Sequence, residues 1–162
     1  RDLVSDDDIK ITLLSICESV AARLREHNCR CRTVQLLVKD CEFFTYERQY
    51  RLSYPTNTTK EIFNIAFSLY KKHHTSGKPV RGLAVKTSNL SITANDIVQL
   101  SIFPEEMQNI KQRDIERTID SIRSKFGYNS IKRGIALIDP SLDSDIKCEH
   151  IIYPTGFFKT LR

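Results

Sequence analysis

The sequence has no run of apolar residues long enough to span a bilayer, and no signal peptide opens it. It lacks G-x-S-x-G, H-E-x-x-H and P-loop motifs, which leaves a free-standing enzyme the least supported class. It also lacks any C-x-x-C pair. The five Cys, at 17, 29, 31, 41 and 148, form an odd set that reads as reduced thiols of a cytoplasmic protein. Cys29-Arg30-Cys31 beside His27 has no second ligand pair to complete a zinc site, and His73 and His74 diverge on a helix end, so no metal is assigned. Trp is absent, which decides nothing. The initiator Met is absent too, and Arg1 opens what reads as mid-protein sequence, so the chain is expected to be a fragment.

What remains is an ordinary globular composition: 162 residues, 40% hydrophobic and 28% charged. The net charge of +5 is unevenly spread. Residues 1–90 carry 15 Lys and Arg against 10 Asp and Glu, whereas residues 91–162 carry ten of each. The basic surplus therefore coincides with the N-terminal module. A polyanionic partner such as nucleic acid agrees with that surplus.

The module is organised by periodicity. Ser5 is an N-cap candidate, and Asp6, Asp7 and Asp8 oppose the positive end of a helix dipole rather than converging on a metal. Ile9, Leu13, Ile16, Val20 and Leu24 then form one apolar helical stripe. Two strands come next. In the first, Val34, Leu36 and Val38 share one face and Thr33, Gln35 and Lys39 the other. In the second, Phe44, Tyr46, Tyr50 and Leu52 oppose Thr45, Glu47, Gln49 and Arg51. Arg48 falls on the apolar side, which points to a sheet margin or to a bulge beyond it. Thr58 to Glu61 has the form of a capping box and starts a second helix, with Ile62, Ile65, Ala66 and Leu69 inward. A third strand has Leu83 and Val85 on one side and Gly82, Ala84 and Lys86 on the other, leaving bare backbone that a bulky polyanion can approach.

Helix, strand, strand, helix, strand is an α+β layer with two helices on one face of the sheet and the opposite face open. It is one strand short of β-α-β-β-α-β, and the missing first strand would precede Arg1. In the split arrangement that strand lies inside the sheet. An open slot is therefore expected, to be filled by the C-terminal region or by self-association with another copy. Beyond it come a connection with an apolar peptide, a helix over 112–126 carrying Ile115, Ile119, Ile122 and Phe126 on one face, and an apolar tail. The division expected is 1–90, 91–109 and 110–162, the last a helical appendage and tail.

Several of these runs together resemble a known family. The segment Arg1-Asp2-Leu3, the helix around Glu18 to Arg25, the strand from Cys31 to Leu36 and Gly77-Lys78-Pro79-Val80-Arg81-Gly82-Leu83-Ala84-Val85 are similar to the little-finger domain of Y-family translesion DNA polymerases. The segment from Ile119 to Gly127 is similar to the stretch just C-terminal to that domain in bacterial members. The resemblance implies a four-stranded sheet backed by two helices, whose open face grips template and primer phosphates during DNA repair in the SOS response. Thr33, Gln35, Lys39, Gln49, Arg51, Arg81, Gly82, Ala84 and Lys86 are the DNA-binding candidates. Lys86 matches a basic position that touches phosphate in relatives. Gly82 stands where some have Arg, and alternation turns Arg81 toward the domain edge.

The family also carries a sliding-clamp peptide of the form Q-L-x-L-F. Gln99, Leu100, Ser101, Ile102 and Phe103 resemble it, with Ile in place of the second Leu. The family's palm, whose carboxylates hold Mg2+, would precede the little finger, so this chain is expected to be non-catalytic and to need no cofactor of its own. The competing reading is a split-βαβ RNA-binding module. It expects exposed aromatics on central strands and a basic-Gly-aromatic run, and neither occurs.

Overall fold

The computed structural model describes residues 1–92 and 104–143, residues 104–110 by backbone alone; residues 93–103, which include the peptide 99–103, and 144–162 lie outside the described residues. The elements are α1 (Asp6–Glu26), β1 (Cys29–Asp40), β2 (Thr45–Thr56), α2 (Thr59–His73), β3 (Val80–Ile92) and α3 (Pro104–Phe126), then single 3-10 turns at Tyr128–Ser130, Gly134–Leu137 and Pro140–Leu142. The fold is α+β, as the sequence pattern predicts.

α1 begins sharply because Ser5 and Asp8 cap each other. Ser5 Oγ accepts the Asp8 N–H at 3.0 Å, and the Asp8 carboxylate accepts the Ser5 N–H at 3.1 Å. The backbone N–H groups of Ser5 and Val4 hold the Asp8 carboxyl below the usual carboxylate range. The other two acids of the run have separate partners: Asp7 pairs with Lys10 at 2.8 Å and Asp6 with Lys71 of α2 at 2.5 Å. The predicted stripe of α1 faces the sheet, with Ile9, Leu13, Val20 and Leu24 buried alongside Cys17 and Ala21.

β1 is the central strand. The order is β2-β1-β3, and both pairings are antiparallel. Val34, Leu36 and Val38 are fully buried beneath α1 and α2, with Ile62 and Ala66 reaching them from α2. Burial pushes the Cys31 thiol up to about 12, so it sits in the core as a protonated apolar group. Leu52 and Tyr46 are the β2 residues that join this core; Phe44 and Tyr50 are exposed. The difference has a simple cause. β2 lies at the sheet margin, where the helices no longer cover it, and that is why Arg48 is tolerated on its helix side, its guanidinium 5.6 Å from the Tyr46 ring. The register slips beyond Arg51, where Thr33 opposes Arg51 but Cys31 opposes Thr56.

The expected slot inside the sheet does not exist. β1 pairs directly with β3 from Cys29↔Ile92 to Asp40↔Val80, so no strand can enter between them. Instead Leu3 exchanges two backbone hydrogen bonds with Val80, at 2.7 and 2.8 Å, on the outer edge of β3. Self-association through an internal slot therefore loses its basis. His74 also departs from expectation. It is half-buried, stacks on Tyr70 at 4.9 Å, and bonds to the Tyr46 hydroxyl and the Lys78 carbonyl. Gly77, at φ +64, supplies the left-handed turn that brings Lys78 there.

The C-terminal region docks by charge. α3 starts earlier than the pattern over 112–126 suggests, and its apolar stripe is not what it buries: Ile115 is 54% and Phe126 75% exposed. Glu116 is 1% exposed instead. Its carboxylate takes Arg25 of α1 at 2.5 Å and the Thr59 N–H at 2.9 and 3.0 Å. Arg25 also grips Asp120 through two nitrogens, at 2.6 and 3.0 Å, and donates to the Asn57 carbonyl at 2.9 Å. Glu116 therefore sits at the positive end of α2. It does there what Thr58 does not: Thr58 makes no side-chain cap, and Glu61 instead accepts from the hydroxyls of Tyr54, Thr56 and Thr58. A second pair of arginines, Arg123 and Arg133, meets Glu18 of α1 at 3.0 and 2.5 Å.

Replacing Glu116 by Ala leaves the Thr59 N–H buried without its acceptor and takes from the buried Arg25 one of its two carboxylate partners. Urea denaturation is expected to register a loss of about 3 kcal/mol, against about 0.5 kcal/mol or less for the exposed neighbour Ile115→Ala. Similar small losses for both would show that α3 is held by something other than this carboxylate.

Candidate nucleic-acid interface

Residues directly opposite in an antiparallel ladder point to the same face, so the two registers of β1 define the surface left open by the helices. It is a grid of four rows, each written β2, β1, β3. They are Arg51, Thr33, Ser88; Gln49, Gln35, Lys86; Glu47, Leu37, Ala84; and Thr45, Lys39, Gly82. Eight of the nine sequence-predicted site residues are thus brought onto one face. The ninth, Arg81, is not. It turns to the sheet end, where it holds Asp2 through two bonds of 2.9 Å and lies 4.8 Å from the Phe43 ring.

The side chains of the grid are unequal. Gln35 Nε2 donates to Gln49 Oε1 at 3.0 Å, forming a polar pair across two strands. Thr33 is 4% exposed and its hydroxyl accepts from Asn89 Nδ2 at 2.8 Å, so it serves the sheet rather than a ligand. Lys86 reaches Glu47 at 3.6 Å, with side chains 56% and 43% exposed. Such an exposed, long pair holds its cation weakly. A phosphate can replace Glu47 as the partner of Lys86. Lys39 leans toward the hairpin, its Nζ 4.7 Å from the Phe43 ring.

Four members of the face, Leu37, Glu47, Ser88 and Thr45, were missed by reading residues singly; Thr45 lay on the polar side of β2 without being singled out. Leu37 is an apolar side chain in the middle of a polar surface, and the doublet Leu36-Leu37, which breaks the alternation, was its only signal. Glu47 lay on the polar side of β2 in the sequence pattern, yet its place beside Lys86 depends on register alone. Ser88 likewise joins through register.

The first half of β3 is bare on this face, at Gly82 and Ala84. A Cβ at Gly82 would meet Lys39 Cβ at 3.6 Å, an ordinary contact, so a larger side chain fits there. The face as a whole offers amide, hydroxyl, one carboxylate and two exposed cationic groups, Arg51 and the loosely paired Lys86. That is phosphate-directed chemistry without base-edge readers held in a fixed arrangement.

The residue 82 position also gives a direct check on the face. Gly82→Arg is expected to fold with a stability within about 0.5 kcal/mol of the parent. It should also steepen the log-log salt dependence of binding to a nucleic-acid duplex by about 0.9. An unchanged slope in a folded variant would place the contact surface elsewhere.

Comparison with known proteins identifies the family of the chain. The model of the impB/mucB/samB family C-terminal domain matches residues 1–102. The chain is 37% identical over 143 residues to a DNA polymerase IV of Acetivibrio thermocellus, covering 88% of this chain and 36% of that one. It is 33% identical over 137 residues to a DNA polymerase IV of Pelotomaculum thermopropionicum, covering 85% and 33%. With a DNA polymerase IV of Alkaliphilus oremlandii it shares 34% over 147 residues, covering 85% and 36%. The chain thus spans about a third of the length of these curated relatives.

Proposed function

The chain belongs to the impB/mucB/samB C-terminal domain family, the little-finger domain of Y-family DNA polymerases, and from that premise we propose that its open sheet face grips the phosphates of a primer-template duplex. The observation that supports this reading is the grid itself: eight candidate residues from three strands on one face that the described helices leave open, with Lys86 held, among the described residues, by a weak exposed pair. On this reading the chain binds and positions DNA while a separate part of a translesion polymerase, spanning the remainder of the relatives' length, performs nucleotide transfer with Mg2+. The chain's own role is non-catalytic and serves DNA repair.

Binding of this kind is insensitive to sequence and sensitive to salt, because neutralised phosphates release counterions. Gln35, Gln49, Ala84 and Gly82 let the backbone approach, while Lys86 and Arg51 supply charge. Central strand β1 offers no aromatic on this face, so base stacking on the sheet, as an RNA-binding module would use, has no platform. Salt titrations of duplex binding are expected to lose about 0.9 of log-log slope in Lys86→Ala and again in Arg51→Ala. Unchanged slopes in both would rule out this face.

The peptide Gln99, Leu100, Ser101, Ile102 and Phe103 lies between β3 and α3 in the chain, and its likeness to the Q-L-x-L-F form supports docking to a bacterial sliding clamp. In that reading Leu100, Ile102 and Phe103 are buried anchors, Gln99 fixes register by hydrogen bonding, and Pro104 limits the freedom lost on binding. Calorimetric titration with purified clamp is expected to lose about 2 kcal/mol per anchor in Leu100→Ala/Phe103→Ala. Equal affinities, with the variant folded by circular dichroism, would reduce the peptide to ordinary packing.

A further inference from the structure

The β1–β2 hairpin closes one end of the open face with two adjacent aromatics that the core does not use. Phe43 is 61% and Phe44 66% exposed. Phe43 stands at φ +69, in the left-handed region that a bulky L side chain occupies only when its surroundings impose it. Asp40 imposes it here. Its carboxylate accepts the N–H groups of Glu42 and Phe44, both at 2.9 Å, and its backbone exchanges bonds with Phe43 at 3.1 Å and Phe44 at 3.0 Å. The Cys41 N–H further ties the turn to the Pro79 carbonyl at 3.0 Å.

The ring carried by this strained backbone is exposed and buries no core in return. Cations flank it. Lys39 Nζ, from the last row of the open face, lies 4.7 Å from its centroid, and the Arg81 guanidinium 4.8 Å, aimed by its two bonds to Asp2. An exposed, preorganised aromatic between two positive groups suits a planar ligand that carries negative charge beside it. A purely apolar protein surface would bring no anion to Lys39, whereas Arg81 already has a carboxylate partner in Asp2.

We propose that Phe43 and Phe44 form a stacking platform for an unpaired nucleobase where the template leaves the duplex held on the open face, with Lys39 and Arg81 facing its flanking phosphates. The proposal rests on the duplex-binding reading above and adds a single-strand subsite to it. It also gives Arg81, which the face itself does not include, a place at the same nucleic acid.

The test compares the full chain on a blunt duplex and on the same duplex with a single-stranded template overhang of about four nucleotides, 2-aminopurine marking the first unpaired position. The overhang is expected to tighten binding and to change the probe's fluorescence. Phe43→Asn/Phe44→Ser should lose that gain by about tenfold while keeping blunt-duplex affinity and salt slope. Asn tolerates the left-handed conformation, so the variant retains the turn. A tightening and fluorescence response unchanged in the variant would overturn the proposal and leave the aromatics to a protein partner. No overhang preference in the parent chain would overturn it equally. Absence of blunt-duplex binding would remove the underlying reading, and this one with it.

Discussion

Two antiparallel ladders on β1 decide where every other group of this domain stands. Because facing residues share a side, the pairings Leu36↔Arg48 and Leu36↔Val85 settle at once which residues of three strands meet the helices and which meet solvent. A slip of one residue on either ladder would drive Lys86 or Glu47 into the core and expose Val85 or Tyr46. The fully buried Val34, Leu36 and Val38 resist that slip, since burial of each contributes about 1.5–3 kcal/mol. Irregularities are confined to the ends, between Cys31 and Thr33 on one ladder and between Lys39 and Asp40 on the other. The regular part between them is the candidate interface.

The helical layer uses charge differently from the open face. Arg25, Glu116 and Asp120 are withdrawn from water and matched by directed hydrogen bonds, with side chains 7%, 2% and 29% exposed. Such a cluster adds less to stability than its geometry suggests, because desolvation offsets attraction. What it does specify is position: the carboxylate meets one helix start, that of α2, and the arginine at the end of α1, with Arg133 more distant at 4.0 Å. It seats α3 against the outer side of the helices, leaving the sheet's open face untouched. Charges on that open face remain wet and loosely paired, as Lys86 and Glu47 are. Wet, weakly paired charge is exchangeable for a ligand's charge, whereas the buried cluster is committed to the fold.

The interface is also only modestly basic. Glu47 sits among its cations and most of its area is amide, hydroxyl and bare backbone. A surface of this composition favours close approach over strong attraction. The proposed clamp peptide and the aromatic hairpin end would each supply contacts that the sheet itself does not.

The sequence alone determined the elements and the division of each strand into two faces, because those depend on spacing along the chain. The stripe of α1, the Ser5 start and the eight face residues were all legible at that level. Arg48 even announced the margin on which β2 lies. Tertiary structure decided what depends on distant segments meeting. The strand order depends on which ladder closes on β1, and no local pattern states that β3 would take the position expected for an upstream strand. Glu116 looked like a solvated helix residue and Ile115 like its buried neighbour. Their roles are reversed because a carboxylate 57 residues from Thr59 completes the start of α2. Leu37 reads as core until the register turns it outward. Periodicity reports which residues can share a face; only the pairing of faces settles which of them is buried.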